Sequence, residues 1–197
     1  MTRDEIQELY YFAPIENLTS IMRHGILSHN RASRRQHLDF SDPRIQERRR
    51  KKKIPGGRCL HDYVNLYFNP RNKMMFAIRH RWNEMVVLRI SSAVLDLDET
   101  IVSDRNASSD KALFLKPVLA LRRMSKQEVF VRQWHDPDDL FETWRLGSIV
   151  CAEVLHPDIL STDYIRGAYV ASQSVKTAFD RLQFGIDCEI NSDIFFR

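Results

Sequence analysis

Glycine is scarce in this chain: six residues in 197, of which only Gly56 and Gly57 adjoin. No Lys-Ser/Thr and helix pattern follows that pair, which excludes a phosphate-cradling loop of the P-loop kind. Cysteine is scarcer. Cys59, Cys151 and Cys188 are odd in number and far apart, with neither metal nor redox spacing, so zinc ribbons and disulfide scaffolds drop out. His24, His29 and His37 show no ligand pattern, and His61-Asp62 would need distant partners to hold a metal. No Gly-x-Ser-x-Gly elbow is present. No apolar run approaches the roughly 18 residues of a membrane span. Met1-Thr2-Arg3-Asp4-Glu5 lacks the apolar core of a secretory leader. A reduced, cytoplasmic protein that does not engage membranes is expected.

What is present is a globular composition, 43% hydrophobic and 28% charged, and an uneven charge. The formal net charge is +4. Between Arg23 and Arg58, twelve Lys or Arg face three acids, so this stretch carries +9 and the remainder −5. Its centre is Arg44-Ile45-Gln46-Glu47-Arg48-Arg49-Arg50-Lys51-Lys52-Lys53. Such a run favours a polyanion through counterion release, and its plainer rival is a solvated face. Ser41-Asp42-Pro43 reads as a helix start and Ile54-Pro55-Gly56-Gly57 as a stop, so a short ordered basic helix is predicted.

Apolar spacing predicts the rest. Residues 6–12 read as an aromatic-rich strand closed by Pro14. Ile15, Leu18, Ile21 and Met22 recur at helical spacing, with Gly25 at the C-cap. Residues 28–57 hold few apolar side chains, so a long surface excursion is expected. Val64, Leu66 and Phe68 alternate as in a strand ended by Asn69-Pro70. Residues 85–90, 149–155 and 164–170 read as buried strands, and 187–196 as a terminal strand. Residues 125–146 read as helix, with Ser125 as N-cap and a break at Pro137, and 174–182 as an amphipathic helix. Strands and helices interleave without regular βαβ alternation, and no repeat or linker interrupts them. One α+β domain over residues 1–197 is expected.

Three segments stand out as motifs. The first is Leu9-Tyr10-Tyr11-Phe12-Ala13-Pro14-Ile15-Glu16-Asn17-Leu18, continued by Ile21-Met22-Arg23-His24-Gly25-Ile26-Leu27. The second is Ile45-Gln46-Glu47-Arg48-Arg49, then Leu60-His61-Asp62-Tyr63-Val64-Asn65-Leu66-Tyr67-Phe68-Asn69-Pro70-Arg71 and Met74. The third is Cys151-Ala152-Glu153-Val154-Leu155-His156-Pro157. In these residues, over about 9–160 of the chain, the sequence resembles the DarT family, DNA-modifying ADP-ribosyltransferases that act as toxins in toxin–antitoxin pairs. The Ile-Gln-Glu-Arg-Arg and Leu-His-Asp-Tyr-Val…Tyr-Phe-x-Pro-Arg pieces are specific, because several rare residues recur in order.

The resemblance implies an ADP-ribosyltransferase-like fold, two facing β-sheets around an NAD cleft with flanking helices. It implies NAD as the ADP-ribose donor, no metal, single-stranded DNA as acceptor and a separately encoded macrodomain antitoxin as partner. Glu153 falls on the family's catalytic glutamate and Arg49 on its essential arginine, across the groove from one another. The NAD-binding segment maps to about residues 36–54 and the substrate-facing loop to about 106–153. Tyr11, Phe12, Ala13, Ser20 and Ser28, with Arg49, map to NAD-lining positions. Many members have His-x-Thr where this chain has Tyr11-Phe12-Ala13; Tyr11 keeps a hydroxyl for a ribose and Ala13 offers none. Asn106 stands where a relative carries His, at the base-reading contact.

The chemistry suits these residue types. Breaking the nicotinamide–ribose bond develops positive charge on the sugar, and a nearby carboxylate stabilises that state more than the ground state. Arg49 offers a bidentate grip on a phosphate or carbonyl. Arg48, Arg50, Lys51, Lys52 and Lys53 would track DNA phosphates, Arg71 would add another contact and Asn106 would meet the base. Trp134 and Trp144 read as core from their helical spacing, with base stacking as the alternative; Tyr67 and Met74 divide between core and nicotinamide side. Glu153→Ala is expected to abolish transfer while changing stability by less than about 1 kcal/mol, as for a surface-cleft residue. Two other readings stay open: the same chemistry on RNA or protein, and a non-enzymatic nucleic-acid-binding domain.

Overall fold

The computed structural model describes residues 1–196. Strand β1 (Glu8–Pro14) leads through a 3-10 turn into α1 (Leu18–His24). That helix ends at Gly25, whose φ is 80°. A Cβ there would lie 2.6 Å from the Leu160 carbonyl oxygen, so only glycine lets the chain swing into β2 (Ile26–Leu27). The expected excursion holds α2 (His29–Ala32) and the basic helix α3 (Pro43–Lys51). Asp42 caps α3, accepting from the Arg44 N–H at 2.7 Å. There follow β3 (Tyr63–Tyr67), α4 (Lys73–Ala77), β4 (Met85–Ser91), β5 (Ile101–Ser103) and β6 (Phe114–Leu115). Next come α5 (Pro117–Arg123), α6 (Lys126–Val129), α7 (Leu140–Ile149), β7 (Glu153–Pro157), β8 (Ile159–Leu160), β9 (Ile165–Val170), α8 (Gln173–Asp180) and β10 (Cys188–Ile190).

Eight strands run in the order β10-β9-β4-β1-β3-β7-β5-β6, and β2 pairs with β8 in a separate ribbon. Only β10 and β9 are parallel; the other pairs are antiparallel. The large sheet is two four-stranded halves. Within one half β1 follows β4 from Glu8↔Ser91 to Pro14↔Met85; within the other β3 follows β7 from Tyr63↔Pro157 to Tyr67↔Glu153. The halves meet at one register pair, Tyr10↔Tyr67. Beyond it the strands part, and the seam becomes a cleft.

Two of the apolar cores flank β4. β4 is buried on both faces, which is why its sequence is apolar but for Arg89 and the terminal Ser91. Val86, Leu88 and Ile90 pack with α1, α5 and α8 side chains such as Leu18, Leu121 and Phe179, whereas Met85 and Val87 pack with Met75 and Phe195. Three expectations need correction. The strand expected at 149–155 begins only at Glu153, because Ile149 completes α7 and Val150 and Cys151 pack on Trp134; an apolar run this short does not distinguish buried helix from strand. The helix expected over 125–146 does break, but over 130–139 rather than at Pro137 alone: α6, capped by Ser125, ends at Val129, and α7, capped by Asp139, begins at Leu140. The terminal strand is confined to Cys188–Ile190, after which a 3-10 turn at Ser192–Ile194 drops Phe195 into the second core.

Candidate active site

A cleft of about 210 Å³ opens at the seam. Tyr11, Phe12 and Ala13 line it from β1, Asn17 and Ser20 from the turn and helix behind, and Tyr63, Asn65 and Tyr67 from β3. The segment 36–54 contributes His37 through Ser41, then Ile45, Gln46 and Arg49. Ser28 lies outside this lining: it is buried, and its Oγ has no hydrogen-bond partner. The Tyr11 hydroxyl is held up to about 12 by burial, with Asp39 adding to it, so it is a neutral donor.

α3 presents few apolar groups, so polar contacts hold it down. Its less exposed face is Ile45, Gln46, Arg49 and Lys52, spaced along successive turns. The His61 Nε2–H donates to Gln46 Oε1 at 2.9 Å, and the His61 ring packs at a 32° tilt against His29 with centroids 4.0 Å apart. Burial, then His29 and Arg49, push His61 down to about 4. Lys52 Nζ donates to the Ser109 carbonyl at 3.1 Å, tying the end of α3 to the loop beyond β5.

Arg49 and Glu153 meet directly rather than across a groove. Arg49 Nη1 donates to Glu153 Oε1 at 3.0 Å, and Nη2 lies 3.0 Å from Oε2. The Ala107 N–H also donates to Oε1 at 3.0 Å. Oε1 is thus saturated, whereas Oε2 has the charge contact but no hydrogen bond. Both residues are buried, and Glu153 does not itself line the cleft: Arg49 and Tyr67 stand between. Burial alone would lower the Arg49 guanidinium, but the facing carboxylate outweighs it and raises the group above its ordinary range. Tyr67, paired in register with Glu153, is pushed well up by burial and then by that carboxylate. The surface-cleft picture of Glu153 is therefore overturned. So is its small stability cost, since truncation leaves a buried guanidinium unpaired.

The residues expected to meet DNA divide. Arg48 and Lys53 are exposed, with no carboxylate partner among the described residues. Arg50 and Lys51 both pair with Glu47 at 2.9 Å, and Lys52 is turned inward. Asn106 lines the cleft; its Oδ1 accepts from Ser108 N–H and Oγ, and its N–H donates to Ser148. Arg71, also expected to meet DNA, is turned to the C-terminal segment. Its Nη1 donates to the Asp193 and Phe195 carbonyls, both at 2.9 Å, and the guanidinium lies 4.0 Å over Phe196, fastening the C-terminal segment. Trp134 is core and Trp144 is 66% exposed. Gln46, His61 and the Ala107 N–H were not singled out from sequence; the first two sat inside the quoted motifs, but a backbone donor leaves no sequence signal. Among the described residues no group of three metal-ligating side chains occurs, and no helix is long and apolar enough to cross a membrane.

Comparison with known proteins bears on this geometry. The profile of the family described as "ssDNA thymidine ADP-ribosyltransferase, DarT" matches residues 10–196. A DNA ADP-ribosyl transferase of Thermus sp. (strain 2.9) is 29% identical over 153 residues, 72% of this chain and 73% of the relative. A DNA ADP-ribosyl transferase–DNA ADP-ribosyl glycohydrolase fusion protein of Thermosipho africanus is 26% identical over 176 residues; the match takes in 86% of this chain and 44% of the fusion. The structure of Thermus sp. 2.9 DarT in complex with ADP-ribosylated ssDNA superposes with a TM-score of 0.84 at 26% identity, covering 98% of this chain and 97% of that one. Thermus sp. 2.9 DarT in complex with NAD+ shares the fold, with a TM-score of 0.77 at 23% identity over 98% of each chain. Fold and site together define a DNA-modifying transferase, and the α+β ADP-ribosyltransferase architecture expected from sequence holds. The chain belongs to the DarT family of single-stranded-DNA thymidine ADP-ribosyltransferases.

Proposed function

We propose that this protein moves ADP-ribose from NAD to a thymine in single-stranded DNA, with Glu153 and Arg49 as its catalytic pair. The observation that carries this reading is the buried, two-pronged Arg49–Glu153 contact at the cleft floor, with one carboxylate oxygen left without a hydrogen bond. The donor supplies a ribosyl carbon that gains positive charge as nicotinamide leaves with the bonding electrons. Glu153 Oε2 is the group suited to meet that charge and to take the proton from the base's one ring N–H as the new bond forms. Arg49 stays protonated throughout; it orients the carboxylate and, when displaced by substrate, grips a phosphate or carbonyl. Tyr11 and Ser20 fit a polyhydroxylated donor, with Phe12 and Ala13 as its apolar wall. Asn106, whose Oδ1 is already engaged, would donate through Nδ2 to a thymine carbonyl. Arg48 and Lys53 supply phosphate contacts, and an unpaired base reaches the floor without the cost of extrusion from a duplex.

The partner supported by the Thermosipho fusion is a glycohydrolase that removes the adduct; for this chain we assign a separately encoded macrodomain antitoxin, and a toxin's role in the cytoplasm. NAD radiolabelled in its adenylate phosphate, offered with thymidine-containing DNA, thymidine-free DNA, RNA and a protein mixture, tests the reading. Label on the first alone is the expected result. Label on RNA or protein instead would move the acceptor, and label nowhere despite salt-sensitive DNA binding would leave a binding domain only.

A further inference from the structure

A second cationic surface adjoins the cleft, and the motifs did not single it out. Residues 69–83 carry Arg71, Lys73, Arg79 and Arg81 and no carboxylate. With Arg71 committed to the C-terminal carbonyls, the others form a ridge along α4 and the 3-10 turn at Arg79–Arg81. Lys73 and Arg79 have no carboxylate partner among the described residues, and Arg81 pairs with Glu84 at 2.9 Å. Phe76 is 39% exposed between them, and the Arg79 guanidinium lies 4.1 Å over its ring. The ring is also held edge-on by Trp134 and Phe196.

The ridge is continuous with the site. Its first end follows β3, whose Tyr67 is the register partner of Glu153, and Met74 packs with Cys151 two residues before that glutamate. Met74 and Ile78 line the cleft. At the far end Arg81 lies 4.5 Å over Phe40, another lining residue. We infer that the α4 ridge is the track for the strand flanking the acceptor, with Lys73 and Arg79 on its phosphates and Phe76 under a base. Alternating cations and an exposed, braced aromatic suit a single strand, because every base has a stackable face while each phosphate needs only a positive charge. This inference rests on the DNA-modifying reading above.

The test is binding of a fluorescein-labelled oligothymidylate by the whole protein across a salt series, with transfer from labelled NAD measured alongside. Each cation lost should make the log–log salt slope shallower by about 0.7. Lys73→Gln/Arg79→Gln is therefore expected to flatten it by about 1.4, and Lys73→Gln alone by half that, with melting temperatures unchanged. Phe76→Leu should weaken binding about tenfold or more and leave the slope intact. Wild-type slopes in both charge variants, while the unaltered protein still labels DNA, would overturn the track and leave the function standing. Neither binding nor transfer by the unaltered protein would overturn both together.

Discussion

At the scale of single residues the molecule hinges on a charge pair whose members are costly to separate. Removing one partner of a buried ion pair typically costs about 3–5 kcal/mol, because the other charge remains in a poorly solvated site. Glu153→Ala should therefore lose transfer and also unfold at lower urea, and Glu153→Gln, which keeps the shape and the Ala107 contact, should lose transfer with a smaller drop in stability. Equal urea midpoints for Glu153→Ala and wild type would show that Arg49 finds water or another partner. His61 gives a pH-dependent counterpart. Its ring is held down to about 4 from an ordinary 6.5 by burial, then by His29 and Arg49, so as pH falls the unfolded chain takes up the proton first. Its contribution is full above about 6.5 and is lost as pH falls toward 4. Chemical denaturation from pH 7.5 to 4.5 should show a steeper decline in wild type than in His61→Gln, whose amide donor does not titrate.

At the scale of elements, short polar devices set positions that apolar burial alone would leave loose. Gly25→Ala places a Cβ 2.6 Å from a backbone oxygen at a positive φ; a loss of about 2 kcal/mol or more is expected. The β2–β8 amides should then lose hydrogen-exchange protection first. Asp42→Ala removes the α3 cap and should cost about 1 kcal/mol, read as a higher KM for NAD because α3 carries Arg49. These two devices were legible in the sequence, since a glycine after an apolar-periodic run and Asp-Pro ahead of a charge run each have one strong structural meaning. So were β1, β3 and β4, rich in apolar and aromatic side chains, and α8, which buries Val175 and Phe179 at helical spacing. The break between Ile149 and Glu153 was not: the buried run 149–155 satisfies helix and strand equally, and only the packing of Val150 and Cys151 on Trp134 decides it. Arg49 and Glu153, the proposed catalytic pair, stood out in the motifs, but their direct contact did not, because nothing in residues 104 apart in sequence encodes whether two side chains touch or face each other across solvent. The contacts of Arg71 were hidden for a similar reason, its partners being carbonyls of a segment more than a hundred residues away.

At the scale of the whole molecule, the seam at Tyr10↔Tyr67 separates two plates that differ in how firmly they are flanked. β4, paired on both sides by β1 and β9, should be among the last amides to exchange, and the edge strands β6 and β10 among the first. NAD wedged into the seam should raise stability by about 2.7 kcal/mol at a hundredfold excess over its Kd, measured as a shift in urea midpoint that grows with the logarithm of concentration. The order in which the chain visits the plates has a further consequence. One plate draws β1, β4, β9 and β10 from residues 8 to 190, so it cannot close until residue 190 has been synthesised. A ribosome that stalls or terminates early releases a chain whose β4 edge has no neighbour and whose tail cannot reach Arg71. Prematurely terminated messages should yield no fragment that transfers ADP-ribose.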